Sequence, residues 1–325
     1  MTATMASVAI YLSDQDLQPL ISYADAIELV EAALKDLAAL SASNRPRQRV
    51  RTGRTGLNVL VAAHPSGGCF GFKAYSSGPG SPGMFNWLYK AEDGSLAAIL
   101  QANWLSLART SAASAVATRA LARPDAKVAA FLGAGRQASG QLPAIALVRS
   151  FEEVRCYSPS GTSAERLAEQ ARQMGLNARA CKTAQEAVDG ADVVTTATHG
   201  QSIALEGRWL KPGAHVNAMG VNRGTDREID AEAVLRAGVI AVDNLENAHI
   251  EAGDLIPLVE SGAGQLSWDR VHDIGAILNG AAPGRQSPDE ITLFESQGLG
   301  IEDMAVSAAA YERAVKKGLG QPLPF

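Results

Sequence analysis

Cysteine is scarce in this chain. There are three in 325 residues, at positions 69, 156 and 181. An odd number at wide spacing excludes a disulfide framework and fits the reduced thiols of a cytoplasmic protein. Histidine is nearly as sparse: the five residues lie far apart, without H-x-x-x-H or C-x-x-C spacing, so no metal site is expected. A basic excess is missing too. Lys and Arg total 29 against 34 Asp and Glu, which argues against a nucleic-acid partner. Apolar runs such as residues 127–132 are far too short to cross a bilayer. The first twelve residues carry no basic stretch followed by an apolar core, so no secretory signal is expected.

What remains is a globular composition in a chain longer than a single core usually supports, so two domains are expected. Residues 24–40 place Ile27, Val30, Leu34 and Leu37 on one helical stripe. Strand-like runs follow at 57–62, 69–75, 87–89 and 96–100, separated by Gly- and Pro-rich turns. This half reads as β-rich with one long helix. Residues 105–122 form a helix of small residues suited to close packing. Strand candidates then alternate with helices: 128–132, 154–157, 193–196, 215–219, 239–242 and 291–294. Such alternation predicts a parallel, helix-covered α/β sheet. A last helix over 301–317 is placed with the first domain.

The chemistry starts at Gly133-Ala134-Gly135-Arg136-Gln137-Ala138, which lies between a predicted strand and a predicted helix. Gly133 permits the tight turn, Gly135 lets a pyrophosphate approach the backbone, and Ala138 allows close helix packing. The helix N-terminus offers free N–H groups to the phosphate. This is a dinucleotide fingerprint in its confirming context; an ordinary glycine turn is the alternative. NAD readers usually end the next strand with a carboxylate on the ribose. Here that end reads Tyr157-Ser158-Pro159-Ser160, with Arg166 nearby, while Glu152 and Glu153 precede the strand and read as solvated. NADP is therefore the preferred cofactor, with NAD the alternative. These hydroxyls would otherwise simply cap the next helix.

Upstream, Arg45, Arg47, Arg49 and Arg51 alternate and would share one strand face, so spacing cannot choose among them. Lys73 stands in an otherwise apolar strand. It is either an edge or snorkelling residue or a desolvated proton donor. Arg109, among small helical residues, has the fork geometry to hold a carboxylate.

The chain resembles the ornithine cyclodeaminase/mu-crystallin family from about residue 20 to 318. The resemblance rests on Pro46-Arg47, Gly71-Phe72-Lys73, Leu107-Ala108-Arg109-Thr110, the Gly133 motif, and Thr196-Ala197-Thr198. It extends through Asn217-Ala218-Met219-Gly220, Arg227-Glu228-Ile229-Asp230, Glu251-Ala252-Gly253-Asp254, Ser296-Gln297-Gly298 and Glu302-Asp303. It implies a homodimer in which a Rossmann domain, residues 121–299, is inserted into a smaller α/β substrate-binding and dimerisation domain, residues 1–120 and 300–325. It implies that Arg47 and Arg109 bind a substrate carboxylate and that Lys73 is the active-site lysine. It places Thr110, Gly135, Gln137, Ala138, Ser158, Thr198, Met219, Gly220 and Ser296 on the cofactor side; Gly133, Arg136, Ser160 and Thr196 join them from the motifs.

One departure matters. Where cyclodeaminases carry a catalytic aspartate, this chain has Asn222, and Met84 stands where the ornithine enzymes have a threonine. An amide cannot serve as a carboxylate base. The resemblance therefore implies an imine reductase or amino-acid dehydrogenase acting on a small carboxylate-bearing substrate. An ammonia-releasing lyase and a non-catalytic ligand binder are the alternatives. Met84, Phe85 and Trp87 either shape an apolar pocket near Lys73 or belong to the core.

Overall fold

The computed structural model describes residues 8–261 and 266–324. The chain divides into two compact units, Met1–Arg109 with Leu299–Phe325, and Thr110–Gly298. The division falls inside a helix rather than at its end, where sequence alone puts a boundary. No helix among the described residues is long and apolar enough to cross a membrane.

The first unit contains β1 (Ile10–Leu12), α1 (Asp14–Leu17), α2 (Tyr23–Ala38), β2 (Ser43–Asn44), β3 (Gln48–Thr52) and β4 (Thr55–His64). It continues with β5 (Cys69–Ser77), β6 (Met84–Lys90), β7 (Leu96–Gln101) and the start of α3 (Asn103–Leu121). The Ser22 hydroxyl and the Asp25 carboxylate form a capping box that starts α2, and the helix buries Ile27, Val30 and Leu34. Leu40, with φ of 58°, lies beyond its end, which is why the helix stops short of the residue 40 predicted. Strands pair in the order β1-β7-β6-β5-β4-β2, antiparallel from β7 to β2, with β3 on β4.

Strand alternation gives this sheet two different faces. One carries Leu60, Lys73, Asn86 and Leu100 in register, all buried. The other carries Val61, Phe72, Trp87, Ile99 and Tyr11 in one row across five strands. None of that row is buried. The rings of Phe72 and Trp87 stack at 5.0 Å, and those of Phe70 and Tyr89 at 5.4 Å. Phe85 and Trp87 therefore lie on the face opposite Lys73; only Met84 of the three residues singled out shares its side. The prediction that all three could surround the lysine fails on the two-residue period of a strand.

The second unit holds the rest of α3, then β8 (Val128–Leu132), α4 (Arg136–Ala146), β9 (Glu153–Tyr157), α5 (Gly161–Gln173), β10 (Ala178–Ala180), α6 (Ala184–Val188) and β11 (Val193–Thr196). There follow β12 (His215–Ala218), α7 (Ala231–Leu235), β13 (Ala237–Val242), α8 (Leu245–Glu251), α9 (Ile256–Glu260), β14 (Val271–Asp273), α10 (Ile274–Leu278) and β15 (Ile291–Glu295). Back in the first unit, α11 (Gly300–Lys316) and β16 (Gln321–Pro322) close the described chain. The second sheet runs β10-β9-β8-β11-β12-β15-β13-β14, parallel throughout. Its strand order reverses between β8 and β11, the switch point of a Rossmann fold. Because both faces are covered, strands such as Val193–Thr196 and His215–Ala218 are buried at every residue. Along β8 the side chains alternate between two apolar clusters, Ala129 and Phe131 in one, Ala130 and Leu132 in the other.

Gly133 follows β8 at φ of 96°. A Cβ there would stand 2.4 Å from the Ala197 carbonyl oxygen beyond β11. Both the backbone angle and the close approach of two strand ends demand glycine. Gly133→Ala is expected to destabilise the fold by about 2–4 kcal/mol, measured by urea denaturation. A loss below about 1 kcal/mol would show that the strand ends are free to separate.

Candidate active site

In the first unit, Lys73 comes from the middle of β5, flanked on both sides by β4 and β6. Only 1% of it is exposed, so it is neither an edge nor a snorkelling residue. Its Nζ donates to Asp303 Oδ1 at 3.1 Å and to the Ser106 hydroxyl. Arg109, from α3, donates through NH1 to Glu302 Oε2 at 2.8 Å, and its Nε lies 3.3 Å from Asp303 Oδ1. Arg47 is buried just before β3, whereas Arg45 and Arg51 are exposed and Arg49 is half-buried. The four arginines do not share a strand face, because β3 begins only at Gln48. That irregular entry is what singles out Arg47.

Burial is the largest influence on Lys73 and pulls its pKa down to about 7. Asp303 opposes the shift, while the charges of Arg109 and Arg47 reinforce it. Three cationic side chains are thus gathered with two carboxylates in a dehydrated space.

Two of these partners, Glu302 and Asp303, begin α11. Carboxylates in a first helical turn also meet the positive end of the helix. The approach of α11 to the sheet depends on glycine. A Cβ at Gly71 would lie 2.0 Å from the Trp87 carbonyl oxygen and 2.9 Å from Met304 Sδ. Sequence reading noted the Glu302-Asp303 pair without a role and missed Ser106. The signal for the pair was two acids in an otherwise apolar helix start; for Ser106 there was none.

In the second unit, Gly135 is the N-cap of α4, and a Cβ there would meet nothing within 4 Å. Arg136 is exposed beside it, and Ala138 is fully buried in the packing of α4. The Thr110 hydroxyl and the Gln137 side-chain oxygen are buried without a hydrogen-bond partner. Ser158 and Ser160 follow β9. Ser160 is the N-cap of α5, yet its side chain makes no capping bond. Arg166 donates to Ser163 Oγ at 3.0 Å, while Arg172 engages the neighbouring Glu165 and Glu169. Glu153 is not simply solvated as read from sequence: it opens β9 and pairs with Arg155 at 2.7 Å and Arg179 at 3.1 Å.

Thr198 and Gly220 follow β11 and β12, and Met219 is buried between β12 and Gly220. Asn222 is half-buried in the loop that follows. The hydroxyls of two further residues expected on the cofactor side are turned onto acids. Thr196 is fully buried and gives its hydroxyl to Glu228 Oε2 at 3.1 Å. Ser296 is buried and donates to Asp243 Oδ2 at 3.1 Å.

The family model for the ornithine cyclodeaminase/mu-crystallin family matches residues 8–318. Alanine dehydrogenase from Archaeoglobus fulgidus is 31% identical over 322 residues, 97% of this chain and 98% of its own length. The structure of Thermococcus litoralis Δ1-pyrroline-2-carboxylate reductase in complex with NADH and L-proline is similar at a TM-score of 0.91 and 30% identity, covering 97% of this chain and 100% of that one. An archaeal alanine dehydrogenase dimer with bound NAD is similar at a TM-score of 0.91 and 30% identity, covering 98% and 99%.

Proposed function

Because the chain belongs to the ornithine cyclodeaminase/mu-crystallin family, we propose that it is a nicotinamide-dependent oxidoreductase acting on carboxylate-bearing imines. It reduces a cyclic ketimine of the pyrroline-2-carboxylate type to the amino acid, or runs the reverse oxidation. The observation that carries this reading is the joint burial of Lys73, Arg47 and Arg109, with Lys73 bonded to Asp303 and Arg109 to Glu302. Relatives that act on proline, its imine or alanine support the substrate class.

A bound nicotinamide dinucleotide would supply the hydride to the imine carbon, or accept it in reverse. Gly135, Gln137 and Thr110 fit such a group: an open N-cap without a Cβ for the pyrophosphate, and two buried polar atoms still lacking a partner. Arg47 and Arg109 bind the substrate carboxylate; Glu302 and Asp303 hold the Arg109 guanidinium in one orientation. Fixing the acid in this way converts binding into alignment of the reacting carbon. Lys73 Nζ, protonated, delivers its proton to the imine nitrogen and is left as a neutral amine; in reverse it takes the proton back. Asn222, in place of an acid, leaves the site without the carboxylate that ammonia loss requires, so the lyase reading is disfavoured.

In this mechanism Lys73 must be protonated for reduction. With its pKa near 7, kcat/KM for imine reduction is expected to fall as pH rises through about 7, and that for amine oxidation to rise over the same range. Lys73→Arg, which cannot give up its proton, Lys73→Met and Arg109→Ala are each expected to lower turnover by about 100-fold or more. The measurement is NADPH absorbance across a panel of cyclic imines and 2-oxo acid/amine pairs. Ammonia release from ornithine with no net change in nicotinamide would establish the lyase instead, and cofactor binding without any turnover would establish a binding protein.

The cofactor preferred is NADP. The end of β9 carries no carboxylate, the Ser160 hydroxyl does not cap α5, and Arg166 forms no ion pair among the described residues. NAD is bound in the related structures, so the comparison is direct: kcat/KM should be higher with NADPH than with NADH, and Arg166→Ala should erase the difference. A wild-type preference for NADH would reject this part of the reading.

The protein also assembles as a homodimer in this proposal, through the outer face of the first sheet. The proposal is supported by the apolar row of Val61, Phe72, Trp87, Ile99 and Tyr11, none of which is buried within the chain. Trp87→Asp is expected to shift sedimentation from dimer to monomer. An unchanged dimer would place the contact elsewhere.

A further inference from the structure

Glu228 lies in the loop after β12 and is fully buried. Its carboxylate reaches two strand ends at once. Oε1 accepts the Thr198 backbone N–H at 2.5 Å, and Oε2 accepts the Gly220 N–H at 2.6 Å and the Thr196 hydroxyl at 3.1 Å. Nothing else fits in that space: a Cβ at Gly220 would stand 2.4 Å from Glu228 Oε1 and 2.5 Å from the Thr198 carbonyl oxygen. The Thr198 side chain is fixed in turn, since its hydroxyl accepts the Gly200 N–H at 3.1 Å. Glu228 is itself held from behind. Asp254, also fully buried, accepts the N–H groups of Glu228 at 2.9 Å and Ile229 at 3.1 Å.

This chain of carboxylates joins the loops after β11 and β12, two adjacent strands beyond the switch point. In a doubly wound sheet, ligands bind outside the carboxyl ends of the strands at that place. One backbone N–H from each loop, at Thr198 and at Gly220, is thus tied to a single carboxylate. Asp230, half-buried two residues on, accepts from Gly207 and Ala233 and caps α7 instead.

We infer that Glu228, anchored by Asp254, is a positioning residue that locks the Thr198 and Gly220 loops into the shape that receives the nicotinamide dinucleotide. The inference rests on the proposed cofactor-dependent reading and assigns to the Arg227–Asp230 stretch a task that binding alone reports. Glu228→Gln keeps size and one acceptor but turns an N–H toward the loop amides, so the two loops can no longer both be held.

The test is fluorescence titration of NADH and NADPH on the full-length protein, with thermal unfolding of the ligand-free protein alongside. Glu228→Gln should weaken dinucleotide binding at least ten-fold. Asp230→Asn should lower the unfolding temperature yet leave the dissociation constant within two-fold of wild type. Glu228→Asp, which keeps the charge but shortens the reach, should recover part of the affinity. Binding by Glu228→Gln within two-fold of wild type, or an equal loss in Asp230→Asn, overturns the assignment. Should Glu228→Gln fail to fold, Thr196→Val decides: it removes only the hydroxyl bond, and affinity equal to wild type overturns the assignment whereas a loss of two-fold or more supports it. Wild-type protein that binds neither dinucleotide overturns the underlying reading, and this assignment with it. The wild-type titration tells that case from failure of the variants.

Discussion

The chemistry of the first unit depends on one burial: five charged side chains held in a dehydrated space between β5, α3 and α11. Removing such groups from water costs several kcal/mol apiece, and mutual attraction repays it only with good geometry. Lys73 and Arg109 share Asp303, and Glu302 takes a further arm of Arg109. The same dehydration brings the Lys73 ammonium into the range where it can exchange a proton near neutrality.

The second unit uses buried carboxylates differently. Glu228 accepts backbone N–H groups beyond the ends of β11 and β12, Asp254 accepts those of Glu228 and Ile229, and Asp243 accepts those of Gln297 and Gly298 beyond β15. Loops at strand ends cannot satisfy their amides within the ladder, so an acid beneath each loop does so. Burial and neighbouring acids push Asp254 and Glu295 upward in pKa, to about 7 for Asp254. Here carboxylates serve architecture first, and their reach decides which loops are rigid.

The apolar row from Tyr11 to Val61 arises because β-strands alternate, so the strand that points Lys73 inward must point Phe72 outward. One register therefore fixes both the buried face with Lys73 and the apolar row opposite it. A one-residue slip would exchange the two faces and lose both.

Much of this was legible in the sequence, because it depends on local periodicity and backbone freedom. The β8–Gly133–α4 passage, the strands over 193–196 and 128–132, and the helix of small residues at 105–122 follow from burial period and glycine placement. So does the pairing of a glycine turn with a dinucleotide fingerprint. What the sequence left open were relations between residues far apart in the chain. Lys73 meets Asp303 across 230 positions. Four alternating arginines read alike until the entry to β3 buried Arg47 alone. The hydroxyls of Thr196 and Ser296 meet Glu228 and Asp243, 32 and 53 positions away. Periodicity and glycine placement determined which segments are strands, helices and turns, since backbone sterics act between neighbours. Only the tertiary structure decided which charges meet and which hydroxyls face inward, because Coulombic and hydrogen-bond partners are chosen by distance in space.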